Sequence, residues 1–154
     1  MSDRGGPPEW LENSPGGRAP SGFATGRRIL IVDDEPDLAE SCARLLGLKG
    51  HECFRAHGQH EAMTMIDHLV PDLVLTDLYL SDGDGLAVAR HAGRRVRPLP
   101  VILMTAYHSP DAVAAAAEVG AVDYLLKPFS MAELDRAVSA AIAPDHQMVR
   151  APHG

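Results

Sequence analysis

The stretch Ile29-Leu30-Ile31-Val32-Asp33-Asp34 places four consecutive apolar residues directly before two adjacent carboxylates. An uninterrupted apolar run of this length is typical of a strand buried on both faces, as parallel strands are. Because open α/β sheets bind ligands at the carboxyl ends of their strands, Asp33 and Asp34 are candidate ligand-binding residues. The same acids, followed by Glu35 and Pro36, also suit the first turn of a helix. Both interpretations can hold together, so the residues farther along the chain have to decide.

The sequence divides into a folded segment, which contains this stretch, and two tails. From residue 27 onward, short apolar runs alternate with amphipathic segments, which indicates βα units around a parallel sheet. The predicted strands cover residues 28–32, 52–55, 73–76, 101–104 and 122–126. The predicted helices cover residues 36–49, 59–69, a segment after the glycine-rich loop 81–85, and then 109–119 and 130–143, the last with a capping box of Ser130 and Glu133. The sequence therefore predicts an α/β domain over residues 27–143.

Length, composition and charge limit the class of protein. With 154 residues, 45% hydrophobic and 23% charged, the chain suits one globular domain. It contains no apolar stretch of membrane-spanning length and no secretory signal pattern, so we expect a cytoplasmic protein without a membrane partner. The net charge of −7 argues against binding to nucleic acid. Cys42 and Cys53 are predicted to be reduced, buried thiols.

The tails carry little pattern of their own. Residues 1–26 are rich in Gly, Pro and Ser and are predicted to form a disordered leader, and residues 144–154 a short polar tail. Within the leader, Glu9-Trp10-Leu11-Glu12 contains the only tryptophan, either as a short docking motif or as a stray aromatic. Arg94, Arg95 and Arg97 precede the fourth strand, at the edge opposite the acids, beside Arg27 and Arg28. Such clusters are usually solvated, and partner docking is the alternative.

Several polar residues follow the predicted strands and should meet at one edge of the sheet. These residues are Asp33, Asp34, Asp77, Thr105 and Lys127. Clustered carboxylates repel one another, and a divalent cation such as Mg²⁺ relieves that repulsion. A carboxylate can attack phosphorus while a metal, an ammonium and a hydroxyl stabilise the transferring group. The arrangement favours phosphoryl transfer, with the central Asp77 as nucleophile.

These residues give the segment 27–143 a resemblance to the receiver domains of bacterial two-component response regulators. The resemblance rests on four motifs in order, Asp33-Asp34, Asp77 with Asp84-Gly85, Thr105-Ala106 and Lys127-Pro128-Phe129. It implies a flavodoxin-like, doubly wound sheet of five parallel strands in the order 2-1-3-4-5, with five helices. Since neither tail is long enough for an effector domain, we expect a regulator of the single-domain type.

The resemblance also implies roles for individual residues. Asp77 would accept a phosphoryl group from a histidine kinase or a histidine phosphotransfer protein in a two-component system or phosphorelay. Mg²⁺, with Mn²⁺ as an alternative, would be bound directly by Asp34 and Asp77, through water by Asp33, and by the backbone carbonyl of Tyr79. The chain would thus be a phosphoprotein that catalyses its own aspartyl phosphorylation and dephosphorylation, and not an enzyme acting on a separate substrate.

The remaining implied roles concern the response to phosphorylation. Thr105 would bind the phosphoryl oxygens, and Lys127 would neutralise their charge after a cis peptide bond at Pro128. Tyr124 matches the aromatic switch residue of the family. In that family the switch reshapes the face made by helix 4, strand 5 and helix 5. This face would contact an unidentified downstream protein or pass the phosphoryl group on, in a monomer or a phosphorylation-induced homodimer.

Two aromatic residues are candidates for tuning the phosphate lifetime. Tyr79 and Tyr107 lie two residues after Asp77 and Thr105, at positions that in this family flank the path of water or phosphodonor. Shielding by both rings would slow hydrolysis of the aspartyl phosphate, although the rings could equally pack at the rim without that effect.

Two other classes of function compete with the receiver interpretation. A receiver-fold interaction module that works without phosphorylation would lack one of Asp77, Thr105 or Lys127, and all three are present. A Mg²⁺-dependent phosphatase would need a second acid to protonate the leaving group and a cap domain, and no segment of the sequence has the pattern of a cap.

Overall fold

Strands and helices alternate along the chain in the predicted order. The structure is a computed structural model that describes residues 26–143. The predictions for the leader up to residue 25, including Trp10, and for the tail from residue 144 lie outside the described residues. The elements are β1 (Arg28–Val32), α1 (Pro36–Leu48), β2 (Glu52–Ala56), α2 (Gln59–Leu69), β3 (Leu73–Asp77), α3 (Gly85–Gly93), β4 (Val101–Thr105), α4 (Pro110–Glu118), β5 (Asp123–Leu126) and α5 (Met131–Ile142).

The five strands form one parallel sheet in the order β2-β1-β3-β4-β5. This confirms the predicted flavodoxin-like topology. In the register between β3 and β4, Asp77 lies opposite Met104, and between β4 and β5, Thr105 lies opposite Leu126. Because parallel strands end on the same side, the polar residues that follow them share one edge. We call this the carboxyl edge, and the opposite one the amino edge.

Both faces of the sheet are covered by helices, and each covered face contains its own apolar cluster. Along β1, Leu30 and Val32 belong to one cluster, whereas Ile29 and Ile31 belong to the other, and all four side chains are fully buried. A strand with core on both faces needs apolar residues at every position, which explains the uninterrupted run. Among the strands that the structure describes, β5 pairs with β4 alone, and its residues are half-buried or exposed.

The loop 81–85 differs from the prediction, because part of it forms a short hairpin in which Tyr79–Leu80 pairs with Gly83–Asp84. The hairpin also completes the start of α2, whose N-cap residue Gly58 has no capping side chain. The Asp82 carboxylate accepts hydrogen bonds from the N–H groups of Gln59 at 2.7 Å and His60 at 3.1 Å. A side chain from another part of the chain thus supplies the acceptors that a local cap would give.

The predictions for the start of the last helix and for the two cysteines are confirmed. Ser130 and Glu133 form the capping box of α5. Cys42 and Cys53 are buried and free, and burial raises the pKa of Cys42 to about 11 and that of Cys53 to about 12. No helix within residues 26–143 is long and apolar enough to cross a membrane.

Candidate functional site

Lys127 joins the carboxylates at the carboxyl edge. Its ammonium lies 2.9 Å from Asp33 Oδ2, 2.9 Å from Asp77 Oδ2 and 3.3 Å from Glu35 Oε1. Burial by itself would lower the pKa of Lys127, but the hydrogen bonds with Asp33 and Asp77 outweigh it and raise the pKa above its ordinary value. The Lys127 ammonium is therefore a permanent positive charge beside Asp77. The Lys127–Pro128 peptide bond is cis.

Asp33 is held on both of its oxygens. The side chain is fully buried, its Oδ1 accepts a hydrogen bond from the N–H of Glu35 at 2.8 Å, and its Oδ2 faces Lys127. Burial raises the pKa of the Asp33 carboxyl, while the Glu35 N–H and Lys127 act in the opposite direction. Because both oxygens already have donors, Asp33 suits contact with a cation through water better than direct coordination.

Asp34 and Asp77 are placed differently from Asp33. Asp34 is exposed at the end of β1, and its side chain makes no hydrogen bond with residues 26–143. The Asp77 carboxylate is 14% exposed, which leaves it accessible from the solvent side. These carboxylate oxygens are the ligands a hard divalent cation prefers, and Mg²⁺ commonly takes only one or two carboxylates and completes its shell with water and phosphate. The residues fit such an ion, although the described part of the chain contains no group of three His, Cys, Asp or Glu side chains that could enclose a metal by themselves.

Thr105 lies at the same edge but outside the ion-pair network. It is fully buried at the end of β4, and its hydroxyl accepts a hydrogen bond from the N–H of Tyr107 at 3.0 Å. Its carbonyl accepts from the N–H of Lys127 at 2.9 Å, which ties the end of β4 to the residue after β5. The hydroxyl is thus fixed next to the site by backbone contacts.

Tyr79 and Tyr107 face each other at the rim of the site. Their ring centroids lie 5.7 Å apart at an interplanar angle of 77°, an edge-to-face contact, and both side chains are largely exposed. The N–H of Tyr79 lies 3.3 Å from Asp77 Oδ1, so this rim is attached to the candidate nucleophile itself. The sequence places two rings near the site, but their contact with each other follows only from the structure.

Tyr124 turns its ring toward the protein interior. It packs against the core cluster that contains Leu30, and its hydroxyl is buried without a hydrogen-bond partner among the described residues. Burial raises the pKa of Tyr124. The ring of His108, a residue absent from the sequence-based prediction, lies 5.9 Å from that of Tyr124.

Two further residues shape the site and were not assigned from the sequence. Glu35 was interpreted only as part of a helix start, yet its carboxylate is the third partner of Lys127. Gly85 was noted as part of a motif without a physical role. A Cβ atom at Gly85 would lie 2.3 Å from the carbonyl oxygen of Asp77, so the absence of a side chain there lets α3 approach β3 beside the candidate nucleophile.

The comparison with known protein families agrees with the geometry of the site. The family model described as the response regulator receiver domain matches residues 29–139. The chain is similar to the phosphate regulon transcriptional regulatory protein PhoB of Pseudomonas aeruginosa, with 38% identity over 119 residues, 76% of this chain and 52% of PhoB. It is 40% identical over 126 residues to the positive alginate biosynthesis regulatory protein of the same organism, covering 80% of this chain and 50% of that protein. The chain thus spans about half the length of these two curated relatives.

Solved structures with the same fold are also similar over most of the described chain. A CheY-like response regulator receiver domain protein from Methanospirillum hungatei superposes with a TM-score of 0.75 at 28% identity, covering 82% of this chain and 99% of that one. A putative response regulator from Chloroflexus aurantiacus gives a TM-score of 0.72 at 32% identity, covering 77% of this chain and 98% of that one.

Proposed function

Because the chain belongs to the family of response regulator receiver domains, we propose that it is a phosphorylation-dependent switch whose phosphoacceptor is Asp77. The donor would be the phosphohistidine of a cytoplasmic histidine kinase or histidine phosphotransfer protein. The observation that carries the proposal is the bridge formed by Lys127 between Asp33 and Asp77 at the carboxyl edge. It places a fixed cation beside a carboxylate that stays accessible to a donor.

The chemistry we propose is a single displacement at phosphorus. An Asp77 carboxylate oxygen forms a bond to phosphorus while the bond from phosphorus to the imidazole nitrogen of the donor breaks, and the imidazole leaves with the electron pair and takes up a proton. Lys127 would move from the Asp77 oxygen to the transferred phosphoryl oxygens, since it lies 2.9 Å from Asp77 Oδ2. Thr105 would donate its hydroxyl proton to another phosphoryl oxygen.

We assign Asp34 and Asp77 as direct ligands of Mg²⁺, Asp33 as a ligand through water, and the Tyr79 carbonyl as a further ligand. The metal, when bound, would neutralise charge on the transferring group. Asp33 has a second task in this proposal, because its buried carboxylate holds Lys127 in position while Asp77 reacts.

We propose that the output is carried by the face made by α4, β5 and α5. Support comes from how lightly α4 is attached, since only Ala112 and Ala116 of that helix are buried. Thr105 and Tyr124 would transmit the change, because Thr105 is the last residue of β4 and Tyr124 lies on β5 with a hydroxyl that has no hydrogen-bond partner among residues 26–143. A partner protein would then distinguish the phosphorylated from the unphosphorylated face.

The test is incubation with acetyl phosphate and Mg²⁺, followed by intact mass spectrometry. We expect a species heavier by one phosphoryl group, formed only when Mg²⁺ is present and absent from Asp77→Asn. The matched control is Asp84→Asn, at the cap of α3, which keeps the acceptor and should still be phosphorylated. A modified Asp77→Asn would refute Asp77 as the phosphoacceptor. An unmodified wild type would refute the switch itself and favour a receiver-fold module that works without phosphorylation.

A further inference from the structure

A groove at the amino edge of the sheet lies at the opposite edge from Asp77 and contains none of the residues assigned to phosphoryl transfer. Its volume is about 1610 Å³. Typical small-molecule pockets measure roughly 300–1,000 Å³, so this groove suits an extended peptide segment better. We call it the amino-edge groove, and the residues that matter for its recognition properties are Val70, Val96, Arg27, Arg94, Arg95 and Arg97.

The charge of the groove is predominantly positive. Four arginines line it against two aspartates, and one of those, Asp67, is already engaged by Arg95 at 3.2 Å and by His91 at 2.8 Å. Arg94 and Arg97 are exposed and form no ion pair with residues 26–143. The loop that carries them is fixed at both ends, since Arg95 is tied to α2 and the N–H of Leu99 donates to the carbonyl of Ala92. The arginines are therefore presented by a loop of defined position.

Two exposed valines give the groove an apolar component in addition to its positive charge. Val96 is completely exposed between Arg95 and Arg97, and Val70 is 48% exposed. Val70 also has a φ of 50°, in the left-handed region where a β-branched residue is strained and Gly or Asn would be easier to accommodate. Strain of this kind is often found at binding sites, and here the strained side chain lines the groove.

We propose that residues 9–12 of the same chain, Glu9-Trp10-Leu11-Glu12, dock into the amino-edge groove. The segment is chemically complementary to the groove. In the segment, two carboxylates flank a large aromatic and an aliphatic side chain, and in the groove, arginines flank the apolar side chain of Val96. Trp10 can stack on an arginine guanidinium while Glu9 and Glu12 pair with the others. The tail beyond residue 143 is a weaker candidate, because its one acidic side chain, Asp145, is balanced by Arg150.

The chain geometry allows this contact without strain. Residues 13–26 separate the segment from Arg27, which itself lines the groove. A Gly-, Pro- and Ser-rich linker of this length has a mean end-to-end distance of about 20 Å and a maximal reach of roughly 46 Å. Such a tether keeps the segment at an effective concentration in the millimolar range, so a weak contact suffices.

The experiment uses the full chain and its only tryptophan. Acrylamide quenching of Trp10 fluorescence is compared with that of a synthetic peptide of residues 1–25. We expect quenching to be at least about twofold weaker in the protein than in the peptide. This is the result if half or more of the molecules hold Trp10 in a docked, protected state. Arg94→Glu combined with Arg97→Glu should raise quenching to the level of the peptide, and so should about 1 M salt. Adding Glu9→Arg and Glu12→Arg to that double variant should restore the shielding.

Arg136→Glu, an exposed charge reversal on α5, is the matched control and should leave the quenching unchanged. Quenching of the wild type equal to that of the peptide would refute the proposal, as would a double variant that stays shielded. Shielding that disappears on dilution of the protein would also overturn it, because the segment would then occupy the groove of a second copy.

Discussion

At the scale of single residues, the two adjacent aspartates after β1 have separate environments. Asp33 is fully buried and has a donor on each oxygen, whereas Asp34 is exposed at the same strand end. Both residues lie beyond Val32, where the chain leaves β1, so one carboxylate anchors Lys127 while the other faces solvent. This difference supports unequal roles for the pair in binding Mg²⁺.

We predict that Asp34→Asn weakens Mg²⁺ binding more than Asp33→Asn does. Removal of a direct ligand should raise the dissociation constant at least about tenfold, or 1.4 kcal/mol, while the loss of a water-mediated ligand should cost less. Titration calorimetry measures both affinities, and circular dichroism verifies that each variant is folded. Equal losses of affinity would contradict the separation of roles.

The ring pair at the rim leads to a prediction about phosphate lifetime. An edge-to-face contact contributes about 0.5–1.5 kcal/mol, so Tyr79→Asn or Tyr107→Glu should open the rim to water and accelerate hydrolysis by up to roughly tenfold. Release of phosphate from the phosphorylated protein gives the rate. Tyr79→Phe and Tyr107→Phe keep both rings and should retain the wild-type rate. If Tyr79→Asn and Tyr107→Glu lose phosphate no faster than wild type, the rings only pack at the rim.

At the scale of elements, the contact between α3 and β3 depends on Gly85. We predict that Gly85→Ala destabilises the protein by about 1–3 kcal/mol, because its Cβ has no space beside the Asp77 carbonyl. It should also slow phosphorylation by acetyl phosphate, since Asp77 must shift. Gly93→Ala, in the same helix, is the matched control. A Cβ there meets nothing within 4 Å, and we expect a gain of up to about 1 kcal/mol in urea unfolding. Equal stability of the two variants would contradict this role of Gly85.

The link between the hairpin and α2 gives a pH-dependent prediction. Hydrogen bonds from the N–H groups of Gln59 and His60 lower the pKa of Asp82. A carboxyl with a lower pKa in the folded than in the unfolded chain stabilises the fold while it is ionised, and this stabilisation is lost as the pH falls through that lowered pKa. Asp82→Ala should therefore be less stable than wild type at pH 7, with a difference that shrinks below about pH 4. Ser81→Ala in the same turn should match wild type at both pH values in urea unfolding, and a pH-independent defect of Asp82→Ala would exclude the carboxylate as its cause.

The sequence predicted most of the elements but missed the hairpin and the cap that it supplies to α2. The hydrophobic periods located the strands, and all helices except α3, to within about two residues of their observed ends. For α3 they indicated only a helix after the loop 81–85. The residues that the patterns indicate as core are buried in β1, α2 and β3. The hairpin at Tyr79–Asp84 was missed, because two-residue strands have no period. The cap supplied by Asp82 was missed as well, because it lies 23 residues from Gln59 and leaves no local signal.

At the scale of the whole molecule, the topology explains why the candidate site was predictable and its details were not. Parallel strands joined by helices must end on one side, so Asp33, Asp77 and Lys127 could be placed together from their positions after strands. Which carboxylates share the Lys127 ammonium depends on side-chain reach between residues that are 50 to 94 positions apart. For the same reason, Glu35 and the contact between Tyr79 and Tyr107 emerge only in three dimensions.

The same architecture couples the site to the stability of the entire domain, since β1, β3 and the residue after β5 all contribute to it. A phosphoryl mimic that binds only the folded chain stabilises it by mass action, by about 2.7 kcal/mol at 100 times its dissociation constant. We therefore predict that beryllofluoride with Mg²⁺ raises the melting temperature by on the order of 10 °C, and that Asp77→Asn abolishes the shift. Melting at two protein concentrations distinguishes a monomer from a phosphorylation-induced homodimer, because only the melting temperature of a homodimer rises with protein concentration. An unchanged melting temperature in the wild type would mean that the mimic does not bind at Asp77.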